Sequence, residues 1–579
     1  MWSPDPKFFG KEYDASLFLL TVWNELFDPF TPDTFQPRHH NTASLINELY
    51  DISSRDEKAT PWWKHITEIR DELRKTAVSE QDLLKDIPEY QWQIKQILKL
   101  DSAKSIRLKC QMLIERREEY NKSILSSIRN SALGLPQQKF TAYKSLRRLA
   151  TLAIQSLKED DDVLANLPLP TESPKFIIES LINLTLHESQ AYDCVFAVVG
   201  KQSDIQRITR PIGFQLIRVR ALPKLDVESL RSVHPEVHFV HITTDGTSIR
   251  DAIIKSRNSL SVGVDIFNLY RNSATIKVLD QVFLRTERAH SYSSVNMAEQ
   301  AFRRLYPRAR AAQDSLAALE MVSRSRLERR VLSALELHSL ALASPEPRTK
   351  FANLWSALEC LAGCSNKGKI IARVTELVVP LLVWRRVDKV IRYTAIGVHE
   401  FGDIRGNHSY GSGFDRSNDK FVHPWDMMTT LCRPEDHPDI SGLLIFCGDH
   451  PLLSFRVFQL WKEFTNPDTL RKKLLTSQQR IEWQLLRIYR ARNLLVHDGV
   501  EVTQLGSLLD NLQYYSTVAL QRIIHGMKIG KNWGVSESVE YWSAKSAFVL
   551  DTLKTSPEKL RVSDFFPIES HEPAPHLWS

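Results

Sequence analysis

Ile488-Tyr489-Arg490-Ala491-Arg492-Asn493-Leu494-Leu495-Val496-His497-Asp498-Gly499 reads as one helix that carries an arginine, an asparagine and a histidine. On ideal α-helical geometry with Arg492 set at zero, Leu485, Ile488, Leu495 and Val496 all fall within about 60° of it. The pattern therefore puts Arg492 in the middle of an apolar stripe, where an unpaired guanidinium is costly. Asn493 and His497 are four residues apart and share the neighbouring flank, at about 100° and about 140°. A charged group on a core-facing stripe with no evident structural reason marks a candidate functional site.

This arrangement resembles the Arg-x4-His signature of the HEPN superfamily (higher eukaryotes and prokaryotes nucleotide-binding), in its Arg-Asn-x3-His form. A second stretch agrees with it. Arg348 to Leu361, with its Leu-Trp-Ser-Ala-Leu-Glu core ending at Glu359, is similar to the helix that precedes the signature in Apea-like HEPN proteins. The resemblance covers about Arg303 to Lys528. It implies a helical bundle, a metal-independent endoribonuclease without a cofactor, and a homodimer in which two signatures face each other. It also implies a role in prokaryotic antiviral defence or as a toxin, with a regulatory protein or phage-derived trigger as a further partner. Some HEPN domains are scaffolds without nuclease activity, so a non-catalytic adaptor that dimerises and binds a partner protein or nucleotide is the competing reading. The toxin half of a toxin–antitoxin pair is a third.

The chemistry of the residue types supports the catalytic reading. RNA brings its own nucleophile, the 2′-hydroxyl, so cleavage needs a proton acceptor or donor of near-neutral pKa and a cation for the phosphorane charge. His497 suits the first task and Arg492, with its bidentate fork, the second. Asn493 is placed to orient the histidine or the phosphate. Glu359 is the expected partner of Arg492 while no RNA is bound. The alternative is that Glu359 and Arg492 form only a structural pair.

At 579 residues the chain is long enough for about three domains. Its 42% apolar and 25% charged composition is that of an ordinary globular protein, which argues against wholesale disorder. A formal net charge of +7 permits a polyanionic partner without demanding one. The longest apolar run, Ile370 to Val383, is broken by Arg373 and Glu376, and the opening residues lack the order of a signal peptide. A cytoplasmic location without membrane contact is expected. The six cysteines are scattered, with no Cys-x2-Cys pair, and read as reduced thiols.

The fold class expected is mainly α, with an N-terminal helical region, a small central α/β unit and a C-terminal HEPN-type helical bundle. Residues 1–187 read as a helical sensor or regulatory domain, with periodic runs over Trp62–Thr76, Glu80–Leu100, Ser105–Leu133 and Lys139–Lys158. Ser79-Glu-Gln-Asp82 offers a helix start and Gly134-Leu-Pro136 a stop. Residues 188–295 turn to strands at Tyr192–Gly200, Gly213–Arg220 and Val237–Thr243, then helix over Ser248–Asn272, then strand at Ala274–Asp280 and Gln281–Leu284. No Gly-x-Gly-x2-Gly or Walker-type loop offers a nucleotide cradle. Residues 296–540 form the HEPN-like domain, interrupted by a polar segment, 402–451, expected to be irregular. Residues 541–579 read as a tail.

Eight arginines (Arg303, Arg304, Arg308, Arg310, Arg324, Arg326, Arg329 and Arg330) stand against Asp314, Glu320 and Glu328 over 28 residues. Arg324, Arg326, Arg329 and Arg330 are candidate RNA-backbone contacts, or else a solvated helix face. Lys350, Arg471, Lys472 and Lys473 are weaker candidates. His423, His437 and His450 lie near Asp436, Asp439 and Asp449, but no tight ligand spacing supports a metal site there, and none is expected.

Overall fold

The computed structural model describes residues 13–27, 40–53, 60–135, 138–155, 167–186, 190–217, 222–246, 249–271, 276–286, 291–296, 328–344, 346–363, 369–405, 423–498, 502, 505–530 and 533–565. For His497 and Asp498 it gives the backbone alone. The chain is mainly helical with one small antiparallel sheet in its middle.

In chain order, the first helices are α1 (Asp14–Phe27), α2 (Thr42–Ser53), α3 (Thr60–Ser79), α4 (Gln81–Leu84), α5 (Pro88–Ile97), α6 (Ala103–Glu115), α7 (Arg117–Leu133), α8 (Lys139–Gln155) and α9 (Pro174–Leu186). The run expected over Glu80–Leu100 is broken, because Pro88 lacks the N–H to continue α4 and instead sits in the first turn of α5. The expected cap at Ser79 is overridden, since α3 continues through that residue.

The sheet unit holds β1 (Gln190–Val199), α10 (Gln202–Thr209), β2 (Gln215–Leu216), α11 (Lys224–Val233), β3 (Val237–Gly246), α12 (Ile249–Arg271), β4 (Lys277–Thr286) and β5 (Ser293–Asn296). Its order is β2-β3-β1-β4-β5, and every pairing is antiparallel. Strand β1 is central. Cys194, Phe196 and Val198 pack with Ala252, Ile253 and Leu260 of α12, while Val195 and Ala197 pack on the other face with Phe239 and Phe283. Burial on both faces explains why β1 is a continuous apolar run without alternation. In the described part of the segment Gly213–Arg220, residues 213–217, the strand covers Gln215–Leu216, and Gly213, at φ 83°, takes the left-handed turn that leads into it.

The C-terminal helices are α13 (Arg329–Ala343), α14 (Pro347–Ala362), α15 (Ile370–Arg405), α16 (Pro424–Leu431), α17 (Pro438–Phe446), α18 (Pro451–Phe464), α19 (Pro467–Asn493), α20 (Leu505–Ile529), α21 (Val535–Thr555) and α22 (Val562–Phe565). Their core is one contiguous apolar cluster that includes Trp355 and Leu358 of α14, Val378 and Ile391 of α15, Leu474, Leu485 and Ile488 of α19, and Leu512 and Ile523 of α20. Of the segment 402–451, expected to be irregular, the described part is largely helical. Three His-Pro steps start α16, α17 and α18, and each ring's Nδ1 accepts a backbone N–H of the first turn: Trp425 at 3.3 Å, Asp439 at 3.3 Å and Leu453 at 3.2 Å. In that described part the His-Pro steps encode helix starts.

The compact units cut the chain differently from the sequence-based boundaries. Met1–Thr151, Pro168–Ile178 and Leu305–Ser579 form one unit, and Leu152–Leu167 with Glu179–Arg304 the other. The N-terminal helices thus share a unit with the C-terminal bundle. Phe18 of α1 packs edge-on against Phe455 of α18 at 5.3 Å, and Glu25 of α1 bonds both Tyr393 of α15 and Arg456 of α18. Phe18, Trp23 and Phe27 of α1 are buried in this packing.

Candidate functional site

Helix α19 begins at an Asn466 cap, whose side chain accepts the Thr469 N–H at 3.0 Å, with Pro467 in the first turn. It runs as an α-helix to Asn493 and then widens into a π-turn, Leu494–Asp498, which carries the backbone of His497. Hydrogen bonding to the fifth residue replaces bonding to the fourth in such a turn. The 3.6-residue extrapolation from Arg492 to His497 therefore does not hold, which corrects the flank assigned to the histidine. Single π-turns inside helices are frequent at functional sites.

Arg492 and Glu359 are brought together. The guanidinium lies 3.8 Å from the Glu359 carboxylate and donates to Asn493 Oδ1 at 3.3 Å. The Trp355 indole N–H donates to Glu359 at 2.6 Å, and the Trp355 ring packs against Tyr489 at 5.7 Å. Helix α14 is fixed at its start by Glu346, whose carboxylate accepts the Arg348 and Thr349 N–H groups. Trp355, one of the largest fully buried side chains, anchors it in the core. Glu359 stands one turn beyond Trp355, at the rim. Arg492 is not in the apolar middle: its side chain retains 23% of its exposure and that of Glu359 25%. A long side chain rooted in an apolar stripe can carry its charged end to the rim.

The buried arginines on α19 are two that the apolar-stripe reading passes over. Arg487 Nε bonds Glu48 at 2.8 Å, its second arm bonds Glu72, and Arg490 bonds Glu48. Both arginines are buried, and they project from the side of α19 opposite the stripe. Sequence reasoning treats that side as solvated. In the fold it is covered by α2 and α3, more than 400 residues upstream. The local signals are two arginines at i and i+3 and, on the same face, Trp483, whose ring meets Lys75 of α3.

Charge in this seam is strongly coupled. Burial works to raise the Glu48 pKa, but Arg487 and Arg490 outweigh it and hold the carboxyl at about 2. For Glu72 burial prevails over Arg487, and the pKa is raised. Burial also opposes the Arg487 charge, but Glu48 and Glu72 more than compensate and raise its pKa. His40, on the same seam and 3.1 Å from the Ser44 hydroxyl, is pushed down to about 3 by burial and by Arg487.

The other candidates divide. Arg329 is exposed, whereas Arg330 is engaged at 2.5 Å by Glu328, whose other oxygen accepts the Val535 N–H at 2.8 Å. Arg330 therefore also belongs to a corner that starts α21. Arg324 and Arg326 lie outside the described residues. Lys350 is fully buried, so RNA cannot reach it, and Arg471 is bonded to the Leu550 carbonyl. Cys110, Cys194, Cys432 and Cys447 are buried free thiols and Cys360 a half-buried one. Among the described residues no three His, Cys, Asp or Glu side chains converge as a metal site. Burial takes the His450 pKa down to about 4, in keeping with a neutral ring that accepts the cap bond. No helix among the described residues is long and apolar enough to cross a membrane.

No known protein family, curated protein or solved structure matches this chain.

Proposed function

We propose that the C-terminal bundle is a metal-independent, HEPN-type endoribonuclease. The observation that carries the reading is the rim pair: Glu359, held by Trp355, meets Arg492 where α19 opens into the π-turn bearing His497. A loose pair at the surface can be exchanged for a phosphate, whereas a buried one cannot. When RNA enters, Arg492 leaves Glu359 for a non-bridging phosphate oxygen, and Asn493 orients the phosphate or the histidine. His497 takes the 2′-hydroxyl proton as the 2′-oxygen bonds to phosphorus and the bond to the 5′-oxygen breaks. The products are a 2′,3′-cyclic phosphate and a 5′-hydroxyl. The leaving oxygen needs a proton, and one histidine does not readily serve both transfers. We therefore assign the second transfer to a second copy of this chain in a symmetric homodimer.

By the HEPN resemblance, the biological setting is a cytoplasmic effector of prokaryotic antiviral defence or a toxin, gated by a regulatory protein or phage-derived trigger. A second reading, a non-catalytic HEPN adaptor that dimerises and binds a partner protein or nucleotide, is favoured by the Glu328–Arg330 corner, which engages one of the arginines offered to RNA.

Incubation of purified protein with total RNA in EDTA, alongside a His497→Ala variant, separates the two. The nuclease reading expects 2′,3′-cyclic ends from the wild type and a rate lower by roughly 10²–10⁴ in the variant. Equal activity of both, or none in the wild type with its trigger supplied, removes it. Light scattering at the assay concentration tests the dimer: a strictly monomeric protein that still cleaves would count against it.

A further inference from the structure

Two donors on different helices converge on one oxygen of Glu359. The Trp355 indole N–H of α14 donates to Oε1 at 2.6 Å, and the Arg492 guanidinium of α19 stands 3.8 Å from that same Oε1. The first is a short charge-assisted hydrogen bond, and the second is beyond hydrogen-bond reach. An arginine that closes on a carboxylate ordinarily does so through two parallel N–H···O bonds of about 2.7–2.9 Å. Here the neutral donor holds the contact and the charged one does not.

The local chain accounts for this order. Trp355 lies four residues before Glu359 on α14, so its ring stands one turn back on the same face. The indole is fixed in place: the side chain is fully buried, and its ring packs against Tyr489 at 5.7 Å. Tyr489 is three residues before Arg492 on α19, so this ring pair spaces the two helices next to the point where Glu359 and Arg492 meet. On the other side, Arg492 gives one arm to Asn493 Oδ1 at 3.3 Å. Each member of the pair is drawn aside by a neighbour on its own helix. An incoming phosphate oxygen then competes with a weak attraction across 3.8 Å, not with two formed hydrogen bonds.

We propose that Trp355 is a positioning residue that holds the Glu359–Arg492 pair open, so that Arg492 can pass to an RNA phosphate. The proposal rests on the reading of Arg492 as the phosphate clamp. Trp355 is buried and acts through the carboxylate. Without its N–H, Glu359 turns to Arg492 and closes the pair. The carboxylate then competes with RNA for the guanidinium, which weakens binding and leaves the bound complex unchanged.

The test uses the full-length protein and a short 2′-O-methyl RNA, which offers no nucleophile, with binding read by fluorescence anisotropy at fixed ionic strength. Trp355→Phe removes the N–H and should bind about threefold or more weakly than wild type, the scale of one surface ion pair. Adding Glu359→Gln to it should restore wild-type affinity or better, because no carboxylate remains to close on Arg492. With cleavable RNA, Trp355→Phe should raise KM and leave kcat unchanged. Without RNA, Arg492→Gln should lower the denaturation midpoint further in Trp355→Phe than in wild type, because the closed pair contributes more to stability than the open one. Phenylalanine is smaller than an indole. If that variant does not fold, benzothienylalanine in place of Trp355 keeps the ring shape without the N–H, and the same outcomes are expected. An affinity equal to wild type, a loss that Glu359→Gln does not restore, or equal midpoint losses from Arg492→Gln in the two backgrounds overturns the proposal. RNA affinity untouched by Arg492→Gln removes the clamp reading instead, and the midpoint comparison then decides alone whether Trp355 holds the pair open.

Discussion

Two arginines five residues apart on α19 meet carboxylates in opposite ways. Arg487 is buried and bonded to Glu48 and Glu72 across the seam with the N-terminal helices. Arg492 sits at the rim beside a π-turn, 3.8 Å from the Glu359 carboxylate, which a tryptophan steadies. The ion-pair chemistry is the same, but the consequence is not. A buried pair has shed its water and cannot be opened without stranding a charge. A half-exposed pair at 3.8 Å contributes little to stability and can change partners. The first position fixes α2 and α3 onto the bundle, and the second is open to a ligand.

The sharpest way to break this contrast is substitution at both sites, read by stability and by rate. Arg487→Leu strands Glu72 and leaves Glu48 with Arg490 alone, and should cost about 3–5 kcal/mol in chemical denaturation. Arg492→Ala should cost about 0–1 kcal/mol, yet lower RNA cleavage by roughly 10²–10³, the effect typical of losing one charge-stabilising donor. Equal stability losses at the two positions would abolish the distinction.

Within the buried seam, the two acids should separate. Glu48 is held below its ordinary pKa and favours the charged form, so Glu48→Gln should destabilise clearly. Glu72 is raised, so its charge is poorly tolerated and Glu72→Gln should cost less, by at least about 1 kcal/mol on the scale of one pKa unit. Denaturation midpoints of the two variants at pH 7 decide this, and the reverse order would contradict it.

The pH dependence follows from the same groups. Glu48, near 4.5 unfolded and about 2 folded, contributes stability that is present above pH 4.5 and is lost as pH falls toward 2. His40, near 6.5 unfolded and about 3 folded, takes up its proton more readily in the unfolded chain, so stability falls as pH drops below 6.5. Glu72, raised, works the other way near and above its ordinary value. His40→Gln should therefore flatten the loss between pH 6.5 and 5. A midpoint that falls equally in both proteins over that range would remove His40 from the account. The smallest effect expected is at exposed Lys473 of α19: Lys473→Gln should alter the denaturation midpoint by no more than the equivalent of about 0.5 kcal/mol.

How much of this was legible in the sequence depends on how local each feature is. Helix α14, the strand read over Tyr192–Gly200 and the mainly helical class can be read because each follows from spacing within a short stretch, whereas Glu359 and Arg492, on different helices, are matched by charge across two quoted stretches. The seam could not be read. Its partners are separated by 439 and 415 residues, and Trp483, on the face of α19 that bears Arg487 and Arg490, does not say which helices cover it. The π-turn escaped because periodicity analysis assumes one helical pitch throughout. The segment 402–451 reads as irregular because it is rich in Gly, Asp, His, Asn and Pro and has little periodicity, whereas in its described part the histidines of the His-Pro steps serve as helix caps.

The interleaved order of the two units has a consequence for biosynthesis. Glu48 emerges from the ribosome 439 residues before Arg487. At about 5–20 residues per second, α2 and α3 wait on the order of half a minute to a minute and a half for the arginines that neutralise their carboxylates. The sheet residues, contiguous over 179–304 apart from a short leading segment, need no such delay and can assemble while the rest is still being made. Through that interval the nascent N-terminal helices must rely on their own contacts or on a chaperone. Slow translation beyond residue 304 should therefore expose them to proteolysis sooner than any other part of the chain.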